Sequence, residues 1–78
     1  MVMRIVGPEE IEWEQGIVWR GGQSARVLEV DGPHRASGEW WADGFDRSYY
    51  WLGLSDGTLA WIYRDERDGR TYLHGVAD

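Results

Sequence analysis

His34 and His74 are the side chains best suited to proton transfer or metal binding near neutral pH, and they stand forty residues apart. A local ligand pair needs its members within a helical turn or two strand positions, so these two histidines do not form one. His74 alternates with Tyr72 in a strand-like stretch, where a packed, hydrogen-bonded imidazole on a core face is the simplest reading. The lack of cysteine excludes a disulfide framework, a thiolate metal site and a cysteine nucleophile. There is no Gly-x-Ser-x-Gly elbow to expose a serine, and a chain without lysine has no P-loop. Gly21-Gly22-Gln23 is the tripeptide with which peptide-chain release factors act, but alone in so small a chain it reads as a hairpin loop. The expectation is a protein that is not an enzyme and needs no cofactor or metal.

Binding chemistry has more to work with. Of six Trp, four Tyr and one Phe, nine fall between Ser37 and Gly75. Trp40 and Trp41 are adjacent, so in an extended segment only one indole enters the core and the other stays half exposed or lies under a loop. With Asp43, Phe45 and Asp46 nearby, such an indole suits an Arg- or Pro-rich peptide, through cation–π contact or stacking on proline. The candidate binding residues are Trp40, Trp41, Phe45, Tyr49, Trp51 and Arg64. The alternative use is a single-stranded nucleic-acid platform, with bases stacked on Trp40, Tyr49 or Trp51. Charge disfavours it: all eight basic residues are Arg, fourteen acids bring the net charge to −6, and no basic patch is evident. Glu9, Glu10, Glu12 and Glu14 read as a solvated strand face, with a basic partner surface as the sharper alternative.

The elements that must position these side chains are strands. Seventy-eight residues make one small domain, 1–78, near the lower limit for burying a core without disulfides or metal. Turn signals recur at Gln15-Gly16, Gly21-Gly22, Asp31-Gly32-Pro33, Asp43-Gly44, Asp56-Gly57 and Asp68-Gly69, which is the punctuation of an antiparallel all-β domain. A three-residue loop over Glu14–Gly16 would face Trp13 with Ile17 and Ile11 with Trp19. A strand from Ala25 to Val30 is expected to end at Asp31-Gly32-Pro33. A two-residue Asp56-Gly57 turn would oppose Ser55 to Thr58. One buried face then holds Tyr50, Leu52 and Leu54 against Tyr63, Trp61 and Leu59, and the other carries Tyr49 and Trp51 against Arg64 and Ile62. For the last hairpin, charge complementarity favours a four-residue loop opposing Asp65 to Arg70 and Tyr63 to Tyr72. The predicted fold is all-β, a small antiparallel meander of five or six strands rolled into a partly open barrel. No apolar run is long enough for a membrane span and MVMRIVGPEE lacks a signal peptide's apolar stretch, so a cytoplasmic location without membrane partners is expected.

One ordered series of motifs goes beyond physical pattern: Trp19-Arg20, Gly32-Pro33, Gly38-Glu39-Trp40-Trp41, Asp46-Arg47-Ser48-Tyr49-Tyr50, Trp61-Ile62-Tyr63-Arg64 and Tyr72-Leu73-His74-Gly75. Over residues 17–75 it resembles the C-terminal segment of ImuB-type proteins, catalytically degenerate relatives of Y-family translesion polymerases, and small stand-alone bacterial domains of unknown function that share this segment. The resemblance implies a non-catalytic protein-interaction module in bacterial DNA-damage tolerance and translesion synthesis. Its implied partner is a RecA-like accessory protein or an error-prone polymerase. Polymerase palm and fingers and a clamp-binding peptide are missing from the sequence, so those activities are not implied.

Overall fold

The computed structural model describes residues 3–38 and 45–77. Trp40 and Trp41 lie outside the described residues, and of Phe45 only the backbone is described. Six antiparallel strands, β1 (Met3–Glu14), β2 (Ile17–Arg20), β3 (Gln23–Gly38), β4 (Phe45–Leu54), β5 (Leu59–Asp65) and β6 (Thr71–Ala77), pair in sequence order, and β1 returns to β6 to close a ring. The all-β expectation is met, and no helix among the described residues is long and apolar enough to cross a membrane.

Two long strands make the ring by serving two sheets. β1 pairs with β6 from Met3 to Ile11 and then with β2 from Glu12 to Glu14. β3 pairs with β2 from Gln23 to Arg26 and passes to β4 from Val27 onward. A five-stranded sheet in the order β1-β6-β5-β4-β3 therefore faces a short β1-β2-β3 sheet. Ile11, Val18, Leu52, Ala60, Ile62, Leu73 and Val76 fill the space between them, with Trp13, Val27, Tyr50 and Leu54 packed around. Leu52 and Ile62 are 0% exposed.

The structure corrects the two hairpin registers, and in each the loop is of the kind expected for the other. At the first hairpin Glu14 opposes Ile17 and Trp13 opposes Val18 across a two-residue turn. Gln15 and Gly16 have φ of 53° and 76°, the two positive angles of a type I′ turn. This slip by one position sends Val18 inward with Trp13 and puts Ile17 and Trp19 outside with Glu14 and Glu12. At the second, Leu54 N–H reaches Thr58 O at 2.9 Å and Gly57 N–H reaches Leu54 O at 3.0 Å, so the loop has three residues and ends on left-handed Gly57, φ 87°. Asp56 selects this loop, because its Oδ1 accepts the Thr58 N–H at 2.9 Å. Trp51 consequently opposes Trp61 and Tyr49 opposes Tyr63, while Tyr50 and Leu52 face Ile62 and Ala60.

The third hairpin follows expectation, with Tyr63 opposite Tyr72 and Asp65 N–H donated to Arg70 O at 2.8 Å. β3 does not stop at Asp31. The cis Gly32-Pro33 pair is set aside in a register shift between Asp31 and His34, and the strand resumes. Gly32 is needed there, since a Cβ would lie 2.6 Å from the Tyr49 carbonyl oxygen.

Candidate functional site

Three registers and one bulge assemble an aromatic ladder on the outer face of β4, β5 and β6. Leu54 N–H is taken by β5, so alternation aims the backbones of Gly53, Trp51 and Tyr49 at β3. Trp51–Trp61 and Tyr49–Tyr63 are then the non-hydrogen-bonded pairs of the β4–β5 ladder, where opposite side chains approach most closely. Ring centroids are 5.9 Å apart for Trp51–Trp61, 5.3 Å for Tyr49–Trp61, 5.4 Å for Tyr49–Tyr63, 4.7 Å for Trp61–His74 and 5.2 Å for Tyr63–Tyr72. Four of these five pairs are near-parallel, with interplanar angles of 17° to 30°.

Polar groups hold the ladder at its ends. The Arg47 guanidinium lies 4.5 Å over the Tyr63 ring and donates to the Tyr49 hydroxyl at 3.1 Å. Burial raises the Tyr63 phenol above its ordinary 10.0, and the Arg47 charge offsets part of that rise. Tyr72 donates its hydroxyl to Asp68 Oδ2 at 2.7 Å. His74 is hydrogen-bonded, as expected, but on the outer rather than the core face: Nδ1 lies 3.2 Å from the Val6 carbonyl, so Nδ1 is the protonated nitrogen.

Among the six candidate binding residues, Tyr49 and Trp51 come together on this ladder. Arg64 does not join them, because it opposes Ser48 and Thr71 on the other side of the sheet and lines a surface depression with Glu10 and Arg70. Trp61, Tyr63, Tyr72, His74 and Arg47 were not among the candidates. The signal that could have found them is Asp56, whose carboxylate favours the three-residue loop and so turns Trp61 and Tyr63 outward.

Mutual stacking limits what the ladder can bind. Coplanar rings set edge to edge would have centroids at least roughly 6.5 Å apart, so centroids at 4.7 to 5.9 Å with near-parallel planes mean rings leaning face on face. Each stacked pair covers one face of each of its two rings. A base, sugar or proline ring needs a free face.

The neighbouring margin of the sheet is open in a different sense. Beyond Val27, β3 has β4 on one side and no strand on the other among the described residues. Glu29 and Asp31 are the hydrogen-bonded partners of Gly53 and Trp51, so the N–H and C=O of Val30 point away from β4. Leu28 and Val30, 62% and 52% exposed, flank this free backbone, and Gly32-Pro33 ends it. Asp31 lies 3.3 Å from His34 Nε2 and, like Glu29, is exposed.

Among the described residues no group of three His, Asp or Glu is placed to hold a metal ion. No protein-family model, curated protein or solved structure matches the chain.

Proposed function

We propose that this chain is a non-catalytic protein-interaction module that takes an extended segment of its partner along the free edge of β3. The observation that carries this reading is the unpaired backbone of Val30, whose own side chain is exposed together with that of Leu28. An added antiparallel strand would set one residue opposite Val30 on the same face, and its flanking residues opposite Glu29 and Asp31. The fitting partner segment alternates basic, apolar, basic. A second copy of this chain fits poorly, because β3 against β3 about Val30 opposes Glu29 to Asp31. The stacked ladder serves as a stiff backing, since it locks β4 to β5 and β6 and so fixes the strand that carries β3.

The motif resemblance to ImuB-type C-terminal segments supplies the setting, bacterial DNA-damage tolerance in the cytoplasm with a RecA-like accessory protein or error-prone polymerase as partner. The mutual stacking of the rings and the net charge of −6 weigh against single-stranded nucleic acid. The test is capture from nuclease-treated lysate of bacteria exposed to DNA damage, comparing wild type with Val30→Pro. That proline removes only an outward N–H, so the β4 ladder survives. Recovery of a RecA-like or polymerase subunit by wild type alone is the expected result. Capture that needs intact nucleic acid, or that Val30→Pro leaves unchanged, would sink the reading.

A further inference from the structure

The end of the ring opposite the β5–β6 hairpin holds a cavity of about 180 Å³ that reaches the apolar core. Its floor is made by Val18, Ala60, Leu73 and Val76, all members of the buried cluster. Two small side chains, Ala25 and Ala60, line it and leave room that larger ones would take. The volume is comparable to the roughly 150 Å³ engineered apolar cavity that admits benzene.

The rim is charged, and its charges are unequally engaged. Arg20 donates to both carboxylate oxygens of Glu9, at 2.9 and 3.2 Å. Asp56 is turned to its own loop, accepting the Thr58 N–H at 2.9 Å. Arg4 lines the same rim and has no acidic partner among the described residues. In a protein carrying six net negative charges, this exposed guanidinium, without an acid among the described residues, stands beside an apolar floor.

We infer that this cavity is a binding site for a short-chain monocarboxylate, the apolar tail against Val18, Ala60, Leu73 and Val76 and the carboxylate on Arg4. A tail of about six carbons matches the volume. The same chemistry is offered by a free acid and by the C-terminal residue of a peptide. This site is independent of the β3 edge, and neither stands or falls with the other.

The test is an amide NMR titration of the intact chain with hexanoate, hexanol and an acetylated peptide ending in leucine with a free carboxylate, reading Ala60, Leu73 and Val76. Hexanoate is expected to bind about tenfold more tightly than hexanol, with Arg4→Gln erasing the ratio while hexanol binding is kept. Ala60→Leu, which fills the floor, should abolish binding of both. If that variant does not fold, Ala25→Leu fills the same space from the less buried side. Peptide binding in place of hexanoate would assign the site to a chain terminus, and hexanoate alone to a free acid. Absence of saturable binding by both, equal affinity for hexanoate and hexanol, or a preference that survives Arg4→Gln would overturn the proposal.

Discussion

The two faces of β4, β5 and β6 are both rich in large apolar groups, yet they are buried by different means. On the inner face Leu52, Ile62 and Leu73 meet Val18 of the opposing sheet and Ile11 where β1 crosses between the sheets, and exclude water through sheet-on-sheet packing. On the outer face no second layer exists among the described residues. Tyr63 is nonetheless only 3% exposed, because Tyr49, Tyr72, His74 and Arg47 cover it. A small sheet can therefore shelter apolar area on both sides, provided that the outer rings are large enough to lean on their cross-strand neighbours.

Truncation should separate the two kinds of burial. Ile62→Ala opens a cavity under the opposing sheet and is expected to cost about 3–4 kcal/mol in denaturant unfolding, enough to threaten the fold of so small a domain. Trp61→Ala removes more atoms but from a half-exposed site that water can refill, with an expected cost of about 2 kcal/mol. A Trp61 cost equal to or above that of Ile62 would make the ladder a second core rather than a cover. Since the loops decide which rings face outward, Asp56→Ala should lose about 1 kcal/mol with the Thr58 N–H left to water. Gln15→Asn should gain about 0.5 kcal/mol, because asparagine tolerates the left-handed φ of 53° better.

Acid gives the smallest effect, and it belongs to exposed carboxylates at the loops and strand ends rather than to either face. The Arg70 N–H and the Tyr72 hydroxyl hold Asp68 below its ordinary 3.8, Arg35 does the same for Asp46, and Arg20 holds Glu9 below 4.5. A depressed folded-state value means that the stabilisation is complete above the unfolded value and is lost as pH falls through the folded one. Stability should thus be flat above about pH 5 and decline below it, with a shallower decline in Asp68→Asn and at high salt. A decline that begins well above pH 5 would contradict the carboxylate origin.

Much of the fold was legible in the sequence, and what was not has a specific physical origin. Regular turn punctuation announced antiparallel strands, and opposite charges at Asp65 and Arg70 selected the last loop. The face assignment of Trp61 and Tyr63 was not legible from alternation, because Ala60 and Ile62 on the other parity are apolar too and either face could have been the core. Only loop length decides between them, and there Gln15 takes a conformation usually left to glycine or asparagine while Asp56 uses its side chain to lengthen the turn. Gly32-Pro33 looked like a strand end because proline cannot donate, yet a bulge lets the ladder step past it. The open edge of β3 leaves no local signature, since it follows from β2 being only four residues long while β3 has sixteen. Arg4 gave no sign either, as its cavity is lined from all five other strands.

Pairing of a partner strand with Val30 is open to an NMR titration with the peptide acetyl-Arg-Val-Arg-Val-Arg-amide. In the free protein the Val30 amide should exchange quickly while those of Glu29 and Asp31, tied to β4, exchange slowly. On saturation Val30 should become protected with the largest shift, the indole N–H signals of Trp51 and Trp61 should scarcely move, and Val30→Pro should abolish binding. A Val30 amide already protected in the free chain, or peptide shifts centred on Trp51 and Trp61 and retained in Val30→Pro, would rule out strand addition at β3.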